Sequence, residues 1–373
     1  MTDTIRLKPN LEGLTEEIPD SVIFEPLTIW KPSQILEYNP PKNINILGNG
    51  YLIKGEFTTL LGPGGIGKSR LSLQMALCQI TGREWCGIPM SNEPLRWLFI
   101  GNENSIYRLK DDLLKMLSQH SKEERELIDE YLAIQVPNTI EDSFLSLESQ
   151  SAQERIKLTL GKYDPQCVVF DPLISLQIGD ESDTKDMKRT VKTIMRIVKS
   201  HNMDCAVLIV HHSRTGSENI KQGANLYDSG NFGRGSKVLF SACRCQINLM
   251  PGDKEDQNKL VLACGKANNA PHFKMRGLEY NSITGLYSVD GTFDLNDWIN
   301  DVDGKRGNKV ATIKDIMEAI RAGNHTTKEI VAYVEEVTVA KDRSIRNRIS
   351  DALKADKIVP IKRGYYDLKE ATS

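Results

Sequence analysis

A run of eight residues in the first quarter of the chain, Gly62 to Ser69, has the composition and spacing of a phosphate-binding loop. It reads Gly-Pro-Gly-Gly-Ile-Gly-Lys-Ser, which matches G-x-x-x-x-G-K-[ST], and it lies between an apolar strand pattern and an apolar helix pattern. Glycines let backbone N–H groups turn towards phosphate oxygens, and the helix that follows directs its positive end at the same anion. The alternative interpretation is a glycine-rich turn that binds nothing.

In a loop of this kind the lysine and the hydroxyl residue have separate tasks. Lys68 would bridge the β- and γ-phosphates of ATP, and the Ser69 hydroxyl would coordinate Mg²⁺. We therefore predict a binding loop for Mg·ATP that consists of Gly62, Pro63, Gly64, Gly65, Ile66, Gly67, Lys68, Ser69 and Arg70.

A carboxylate for the metal follows a second apolar run. Val168-Val169-Phe170 has the pattern of a buried strand, and Asp171 comes directly after it. Asp171 would hold Mg²⁺, through water, beside Ser69. The alternative is an aspartate that only ends a strand before Pro172, but the phosphate-binding loop upstream favours the metal site.

Hydrolysis of ATP also needs a group that orients and deprotonates a water molecule. Because Pro172 follows Asp171, the chain lacks the glutamate that many ATPases carry at that position. Our candidate for the catalytic base is Glu103, in Gly101-Asn102-Glu103-Asn104, which follows an apolar strand pattern. The alternative is a solvated glutamate in a loop.

These residues need a scaffold that brings distant strand ends together, and the pattern around them predicts one. The predicted strands are 57–61, 96–101, 166–171, 205–211, 246–250, 259–263 and a strand near 285–289. The predicted helices are one ending at residue 80, one near 107–119 and one at 184–201, with a mostly helical pattern at 120–160. Alternating strands and helices predict an α/β fold with a mostly parallel sheet flanked by helices.

The totals exclude several classes of protein. A net charge of −2 provides no general attraction to nucleic acid or membrane. Seven cysteines, irregularly spaced and without a C-x-x-C pair, favour neither a disulfide framework nor a zinc site. The first ten residues lack an apolar signal region, and no apolar stretch approaches the ~18 residues that span a bilayer. We expect a cytoplasmic protein, with residues 1–45 as an irregular, proline-rich leader.

The ordered set of motifs resembles the RepA-type hexameric helicases of plasmids, within the RecA/DnaB-like P-loop ATPases and with an AAA_25-like domain. The resemblance covers about residues 46–290. It rests on Gly62–Ser69, Gly101–Asn104, Val168–Asp171, Val210–Ser213 and Arg234–Ser236. It implies a RecA-like core in residues 46–300 and a homo-hexameric ring with ATP bound at the subunit interfaces.

The same resemblance implies roles for four further residues. Glu103 looks like the family's catalytic glutamate, and His212, which with His211 ends an apolar run, looks like its γ-phosphate sensor. Arg234 looks like the arginine finger that reaches the ATP of the neighbouring subunit; a solvated loop arginine is the alternative. Lys266 resembles the lysine of the Lys-x-Arg element that contacts ATP across the interface. Asn268 stands where that element has its arginine, so Arg234 would carry more of this role.

The polar, glycine-rich segment 213–233 stands where such rings line their central channel with DNA-binding loops. Its Arg214 and Lys221 are candidates for contacts to the backbone of single-stranded DNA. Glu218 and Asp228 offset their charge, so a loop without affinity for DNA is equally open.

Residues 308–373 predict a small α+β domain of winged-helix type, after a linker at 301–307. Three helical patterns precede a strand at 358–361, a turn at 362–364 and a strand at 365–368. Residues 301–373 hold 15 Lys and Arg against 12 Asp and Glu, a balance of +3. We predict that this domain contacts the phosphates of duplex DNA. The residues concerned are Arg343, Arg346, Arg348, Lys362 and Arg363. The alternative is a module that docks protein.

The sequence therefore predicts an ATP-driven DNA motor of a plasmid, phage or integrated element, with ATP and Mg²⁺ as ligands. Two rival functions remain open. One is a RecA/KaiC-like ATPase that is not a helicase. The other is a nucleotide-regulated transcription or partition factor in which the C-terminal domain is the main effector.

Overall fold

A computed structural model describes residues 27–41, 43–214, 216, 220, 223, 231–234, 237–253, 255–302, 311–338 and 340–369. The chain divides into two compact units, Met1–Lys42 and Asn43–Ser373. Among its described residues, the first unit contains one short helix, α1 (Pro32–Glu37). Lys31, which precedes this helix, donates its N–H to the Gln34 side chain, 2.8 Å away. The expected irregular leader is therefore helical over these six residues.

The second unit contains all the strands and the remaining helices of the described residues. The strands are β1 (Asn45–Leu47), β2 (Leu52–Ile53), β3 (Phe57–Gly62), β4 (Trp97–Ile100), β5 (Leu132–Ile134), β6 (Cys167–Phe170), β7 (Ala206–His212), β8 (Cys245–Pro251), β9 (Lys259–Ala267), β10 (Arg276–Asn281), β11 (Leu286–Val289), β12 (Ile358–Lys362) and β13 (Tyr365–Leu368). The helices are α2 (Lys68–Ile80), α3 (Ile106–Leu117), α4 (Lys122–Tyr131), α5 (Ile140–Ser143), α6 (Gln150–Tyr163), α7 (Thr184–His201), α8 (Val238–Ala242), α9 (Leu295–Val302), α10 (Ile313–Arg321), α11 (Thr327–Val337) and α12 (Asp342–Lys354).

One large sheet organises this unit. Its strand order is β11-β10-β9-β8-β3-β7-β6-β4-β5. The six strands from β8 to β5 are parallel, and β9, β10 and β11 extend the sheet in antiparallel pairs. The mostly parallel sheet with flanking helices is the predicted α/β architecture of a RecA-like P-loop fold. Because parallel strands end at the same edge, β3, β4, β6 and β7 bring the predicted catalytic residues together.

Helices bury apolar faces against both sides of the sheet. On one side, α2 buries nearly its whole length, including Leu71 and Met75. On the other, α7 packs Val191, Ile194 and Val198 against β6 and β7. Burying one such side chain completely contributes about 1.5–3 kcal/mol, so these two layers hold the strand ends in place.

The antiparallel extension is tied to α2 by an amide pair. The Gln74 side chain donates to the Tyr287 carbonyl oxygen and accepts from the Tyr287 N–H, both at 2.8 Å. Because both backbone groups of Tyr287 are satisfied by one buried side chain, β11 is held against the helix that carries the phosphate-binding loop.

The C-terminal residues have the predicted order of three helices and a hairpin, α10, α11, α12, β12 and β13. Thr326 and Glu329 form the expected capping box at the start of α11. Their own apolar cluster includes Ile316, Ile330 and Ile349. The predicted linker is partly wrong, because residues 301–302 belong to α9; residues 303–310 lie outside the described residues.

Several elements differ from the sequence-based prediction. The stretch 120–160 contains not only helices but also the edge strand β5, and the strand β10 was not predicted. All seven cysteines are buried and free, as their apolar surroundings indicated. Most of the segment 213–233 lies outside the described residues; within it, Phe232 is buried and Gly233 bridges to Ser213.

Candidate active site

The phosphate-binding loop lies between β3 and α2, as the motif requires. Gly67 has φ +98°, and a Cβ there would come within 1.9 Å of the Tyr287 hydroxyl, so only glycine fits. Lys68 is buried, and its Nζ donates to the carbonyl oxygens of Gly62 (2.9 Å) and Pro63 (2.7 Å). The ammonium is thereby held inside the loop that would surround the phosphates.

The charge state of Lys68 depends on its burial. Removal from water lowers the pKa of Lys68 to about 8, and the nearby carboxylates of Asp171 and Glu103 oppose this shift. The lysine remains mostly protonated at neutral pH, and an entering phosphate would strengthen that state.

Asp171 lies at the end of β6, directly beside Ser69. The Ser69 hydroxyl hydrogen-bonds the Asp171 carboxylate, and Asp171 is 7% exposed. Burial raises the pKa of Asp171 to about 6, against the lowering effect of the Ser69 hydrogen bond. A hydroxyl and a carboxylate in contact are oxygen ligands of the kind that Mg²⁺ takes, with water and phosphate completing its shell. These two residues therefore fit the predicted metal site.

Glu103 lies in the loop after β4, the strand next to β6. Its charge raises the pKa values of both Lys68 and Asp171, which places it within electrostatic reach of each. The loop is fixed from two sides. Gly101 donates its N–H to Gln135 Oε1 at 3.1 Å, and Asn102 Nδ2 donates to the Ser143 carbonyl oxygen at 2.7 Å. The Glu103 side chain itself is exposed, as a base that must meet water requires.

The histidine pair ends β7, which pairs with β3 in a register that sets His212 opposite Gly62. His212 Nδ1 lies 3.4 Å from Lys68 Nζ. Burial, followed by the charge of Lys68, lowers the pKa of His212, so the ring is neutral and can accept from the ammonium. The predicted sensor residue thus touches the predicted phosphate-binding lysine.

His211 is fully buried on the other side of the strand. Its Nε2 lies 3.2 Å from the carbonyl oxygen of Arg234, and because a carbonyl only accepts, Nε2 carries the proton. Burial lowers the pKa of His211 to about 4. Its part is structural, since it anchors the chain at Arg234.

Arg234 is held at the end of β7 by its own backbone. Its N–H donates to the His212 carbonyl oxygen at 3.0 Å, while its carbonyl oxygen meets His211. Its side chain is 57% exposed, and Nε lies 2.5 Å from Glu181 Oε1. The sequence provided no signal for Glu181, which lies in the loop before α7.

Arg70 has a different environment from the rest of the loop. Its Nε donates to the buried carboxylate of Asp112 at 2.6 Å, and its guanidinium lies 5.4 Å from the centre of the Tyr280 ring. Asp112 also lies 3.8 Å from Arg108 Nε. The Arg70 side chain is therefore engaged within its own chain, and a contact between Arg70 and nucleotide remains a prediction. Asp112 and Arg108 carried no motif that could have identified them.

A cavity of about 40 Å³ opens beside Ser69 and Asp171. Asn104, Asp112 and Gln135 contribute polar groups to its lining. The volume admits water, which needs only about 10–15 Å³. The cavity can therefore supply water to the face of the site that carries the candidate metal ligands.

Lys266 contacts backbone groups of α8 rather than the residues of this cluster. Lys266 is on β9, and its Nζ donates to the carbonyl oxygens of Phe240 (2.6 Å) and Ser241 (3.3 Å). Arg214 is exposed just after β7, and Lys221 lies outside the described residues.

The five basic residues predicted to contact duplex DNA divide into two groups. Arg343, Lys362 and Arg363 are exposed, as is Arg346, which pairs with Asp342. Arg348 does not lie away from the packed face as predicted. It donates to the Ala311 carbonyl oxygen (3.1 Å), and its Nη1 lies near Asp351 (3.2 Å) and Asp294 (3.7 Å).

Comparison with known proteins agrees with the cluster at the sheet edge. Residues 25–218, just over half of the chain, match the family AAA_25, described as an AAA domain. The chain belongs to the AAA_25 family. The AAA_25-like domain that the resemblance implied is thus confirmed, and in this AAA-domain protein it includes the phosphate-binding loop between β3 and α2.

The protein is also similar to several solved structures, all at low identity. A KaiC-like protein from the hyperthermophilic archaeon Pyrococcus horikoshii OT3 is 13% identical, with a TM-score of 0.44 over 66% of this chain and 99% of that one. The RadB recombinase is 15% identical, with a TM-score of 0.41 over 63% and 90%. The ATPase domain of G40P is 14% identical, with a TM-score of 0.47 over 69% and 94%.

Within the part of the chain that the structure describes, the AAA-domain protein has no helix long and apolar enough to cross a bilayer.

Proposed function

We propose that this chain is an ATP-hydrolysing DNA motor, a hexameric helicase of a plasmid, phage or mobile element that acts in the cytoplasm. It binds single-stranded DNA in its central channel and hydrolyses Mg·ATP at its subunit interfaces. The observation that carries the proposal is the meeting of Lys68, His212 and the Ser69–Asp171 pair at one sheet edge. Family membership supports the ATPase part, and the resemblance of the motifs supports the helicase part.

Each of these groups has a defined task in hydrolysis. Lys68 leaves the carbonyl oxygens of its own loop and binds the β- and γ-phosphates. Ser69 and Asp171 would hold Mg²⁺, and the ion would supply neutralisation of the phosphate charge. Glu103 accepts a proton from the attacking water, as a general base.

His212 and Arg234 link the γ-phosphate to the rest of the ring. Because His212 touches Lys68, a γ-phosphate that draws the lysine away also changes the partner of the histidine. Arg234, anchored beside His212 and exposed, stabilises charge on the ATP of the adjacent subunit. Loss of phosphate at one site would thereby reposition the strand end that presents the finger to the next.

Contacts to DNA are assigned to two regions. Arg214 and Lys221, after β7, track single-stranded DNA in the channel. The exposed Arg343, Arg346, Lys362 and Arg363 on the C-terminal helix and hairpin contact duplex phosphates. The basic surface of these C-terminal residues also supports the rival function of a nucleotide-regulated DNA-binding factor.

One experiment separates the proposed function from its rivals. ATPase turnover is measured with and without single-stranded DNA, and unwinding is measured on a forked duplex, with Lys68→Ala as the inactive control. A helicase shows turnover stimulated by single strands together with ATP-dependent unwinding. Stimulated turnover without unwinding supports a RecA/KaiC-like ATPase, and sequence-dependent duplex binding without unwinding supports the regulatory factor.

A further inference from the structure

Glu181 is a third carboxylate at the phosphate end of the site, and no motif accounts for it. It lies between the Asp171 strand and α7, in a loop whose backbone is fixed by side chains. Gly179 donates its N–H to Glu148 Oε1 at 2.9 Å, and Asp180 donates its N–H to Asp186 Oδ2 at 3.0 Å. The loop therefore holds Glu181 in one place rather than leaving it to solvent.

Glu181 forms an ion pair with Arg234, and the backbone of Arg234 is equally constrained. Arg234 is bonded through both backbone polar groups to the end of β7, and Phe232, two residues earlier, is fully buried. The remaining freedom of Arg234 lies in its long side chain, which would lose rotamer entropy on being ordered. A partner that fixes this side chain in advance removes much of that cost from the catalytic step.

The geometry of the Glu181–Arg234 pair allows Glu181 to orient the Arg234 guanidinium without occupying the groups that would bind phosphate. Glu181 Oε1 meets Nε, which lies on the side of the guanidinium nearest the backbone, at 2.5 Å. Contact through Nε leaves the two terminal amino groups for the bidentate contacts that arginine makes with phosphate oxygens. The Arg234 side chain is 57% exposed while that of Glu181 is 15% exposed, so the carboxylate is the more deeply buried partner and the arginine is the one that faces outward.

The Glu181 carboxylate could accept a further hydrogen bond. Glu181 Oε2 is buried and has no hydrogen-bond partner among the described residues. A buried carboxylate oxygen without a donor is costly. Such a cost is expected where a group is retained for what it does to its neighbour, and here that neighbour is Arg234.

We propose that Glu181 is the positioning residue of the arginine finger: it fixes the Arg234 guanidinium through Nε so that the terminal amino groups face the phosphate of the adjacent subunit. The inference rests on the proposed function, in which Arg234 completes the site of the next subunit. Glu181 does not touch the nucleotide and acts only through Arg234.

The test is steady-state ATPase kinetics of the full chain, with Glu181→Ala, Glu181→Gln, Arg234→Ala and the double variant Glu181→Ala/Arg234→Ala. Glu181→Ala should lower kcat by about 100-fold, as misplacement of a catalytic group does, and leave KM for ATP unchanged. Glu181→Gln keeps an oxygen that accepts from Nε and should retain more activity than Glu181→Ala. The double variant should be no slower than Arg234→Ala alone.

Asp180→Asn is the matched control, because it removes a charge one residue away. Its retained Oδ1 still accepts from Ser182, as Asp180 Oδ1 does in the parent. It should turn over ATP at the parental rate. A low rate in this variant would mean that loop charge in general, and not the contact with Arg234, controls turnover.

Complementation assigns the defect to one side of the interface. Glu181→Ala mixed with Lys68→Ala should regain activity, whereas Glu181→Ala mixed with Arg234→Ala should not. If Arg234→Ala is slow but Glu181→Ala is as fast as the parent, the positioning role is wrong and the proposed function stands. If Arg234→Ala itself is as fast as the parent, the finger and its support are both wrong.

Discussion

Lys68 Nζ lies 3.4 Å from His212 Nδ1, so the predicted phosphate-binding lysine and the predicted phosphate sensor are already in contact. The contact joins the ends of α2 and β7, two elements that are far apart in sequence. A phosphate that takes Lys68 as its partner must therefore change the surroundings of His212, which is the relationship that a sensor requires.

The lowered pKa of Lys68 predicts that the affinity for ATP falls as the pH rises into the alkaline range. With a pKa of about 8 in the free protein, Lys68 loses its proton above that pH, and a bound phosphate must restore it. Affinity for Mg·ATP should fall above pH 8 by up to about tenfold per pH unit. Fluorescence titration with a labelled ATP analogue at pH 7, 8 and 9 checks this. Lys68→Arg, always charged, should bind with a flatter profile; parental affinity that is equal at pH 7 and 9 would contradict the assignment.

Removal of the lysine has a simpler outcome. Lys68→Ala should reduce turnover by at least about 100-fold, because one phosphate-stabilising charge is lost. The fold should persist, since the Lys68 ammonium contacts only carbonyl oxygens of its own loop and the His212 ring and belongs to no apolar core cluster. Circular dichroism and ATPase assays measure the two effects. Turnover at the parental rate would exclude this loop as the site of hydrolysis.

Glu103→Gln separates binding from chemistry. The amide preserves shape but accepts no proton, so turnover should fall by about 10²- to 10⁴-fold while ATP binds as before. Single-turnover assays should recover intact ATP from the protein. Asn104, the next residue, provides the comparison: Asn104→Ala should have a much smaller effect. Unchanged hydrolysis in Glu103→Gln would mean that another group activates water.

The raised pKa of Asp171 predicts how stability without nucleotide changes with pH. The native carboxyl holds its proton up to about pH 6, against an ordinary value of 3.8, so the folded state binds more protons between those values. Stability is therefore lost as pH rises from about 4 to about 6.

Asp171→Asn should raise the unfolding free energy at pH 7 by up to about 3 kcal/mol while abolishing Mg²⁺-dependent turnover. Denaturant titration of both proteins at pH 4 and 7 provides the measurement; equal stability of the two at pH 7 would contradict a buried charge at this position.

The C-terminal arginines should differ from one another in what they control. Arg343→Ala should weaken duplex binding and reduce the slope of log affinity against log salt by about 1, the value of one phosphate contact. Arg348→Ala should leave that slope unchanged and lower stability, because Arg348 is engaged with Ala311 and Asp294. Filter binding over a salt series separates these effects. A salt slope that Arg343→Ala leaves unaltered favours protein docking by this domain.

The sequence predicted elements well where local signals agree. The helix Thr184–His201 matches its predicted limits, because Asp183 caps its start and its apolar residues recur at helical spacing. The strand Leu132–Ile134 was missed because it has three residues, all half-buried, directly after a helix. Short edge strands of this kind are defined by pairing with a distant strand and not by their own pattern.

The candidate site divides in the same way. The positions of the phosphate-binding loop, Asp171 and Glu103 at strand ends were predictable, because each belongs to a motif with a fixed position after a strand. Their roles in hydrolysis remain predictions. The positions of Asp112 and Glu181 beside the site were not predictable, since each pairs with an arginine distant in sequence. Arg348 was assigned to the wrong surface, because helical spacing cannot reveal a carbonyl oxygen and a carboxylate supplied by other parts of the fold.

The central claim is that ATP is hydrolysed at a site shared by two subunits, with Lys68 on one side and Arg234 on the other. The direct measurement is the ATPase rate of Lys68→Ala and Arg234→Ala, each alone and then mixed, with mixed oligomers verified by pull-down of a tagged subunit. Each variant alone should be nearly inactive. In mixed rings, some interfaces join an intact Lys68 to an intact Arg234, so activity should partly return. Mixed oligomers that remain as inactive as the separate variants would contradict a site completed by the neighbouring subunit.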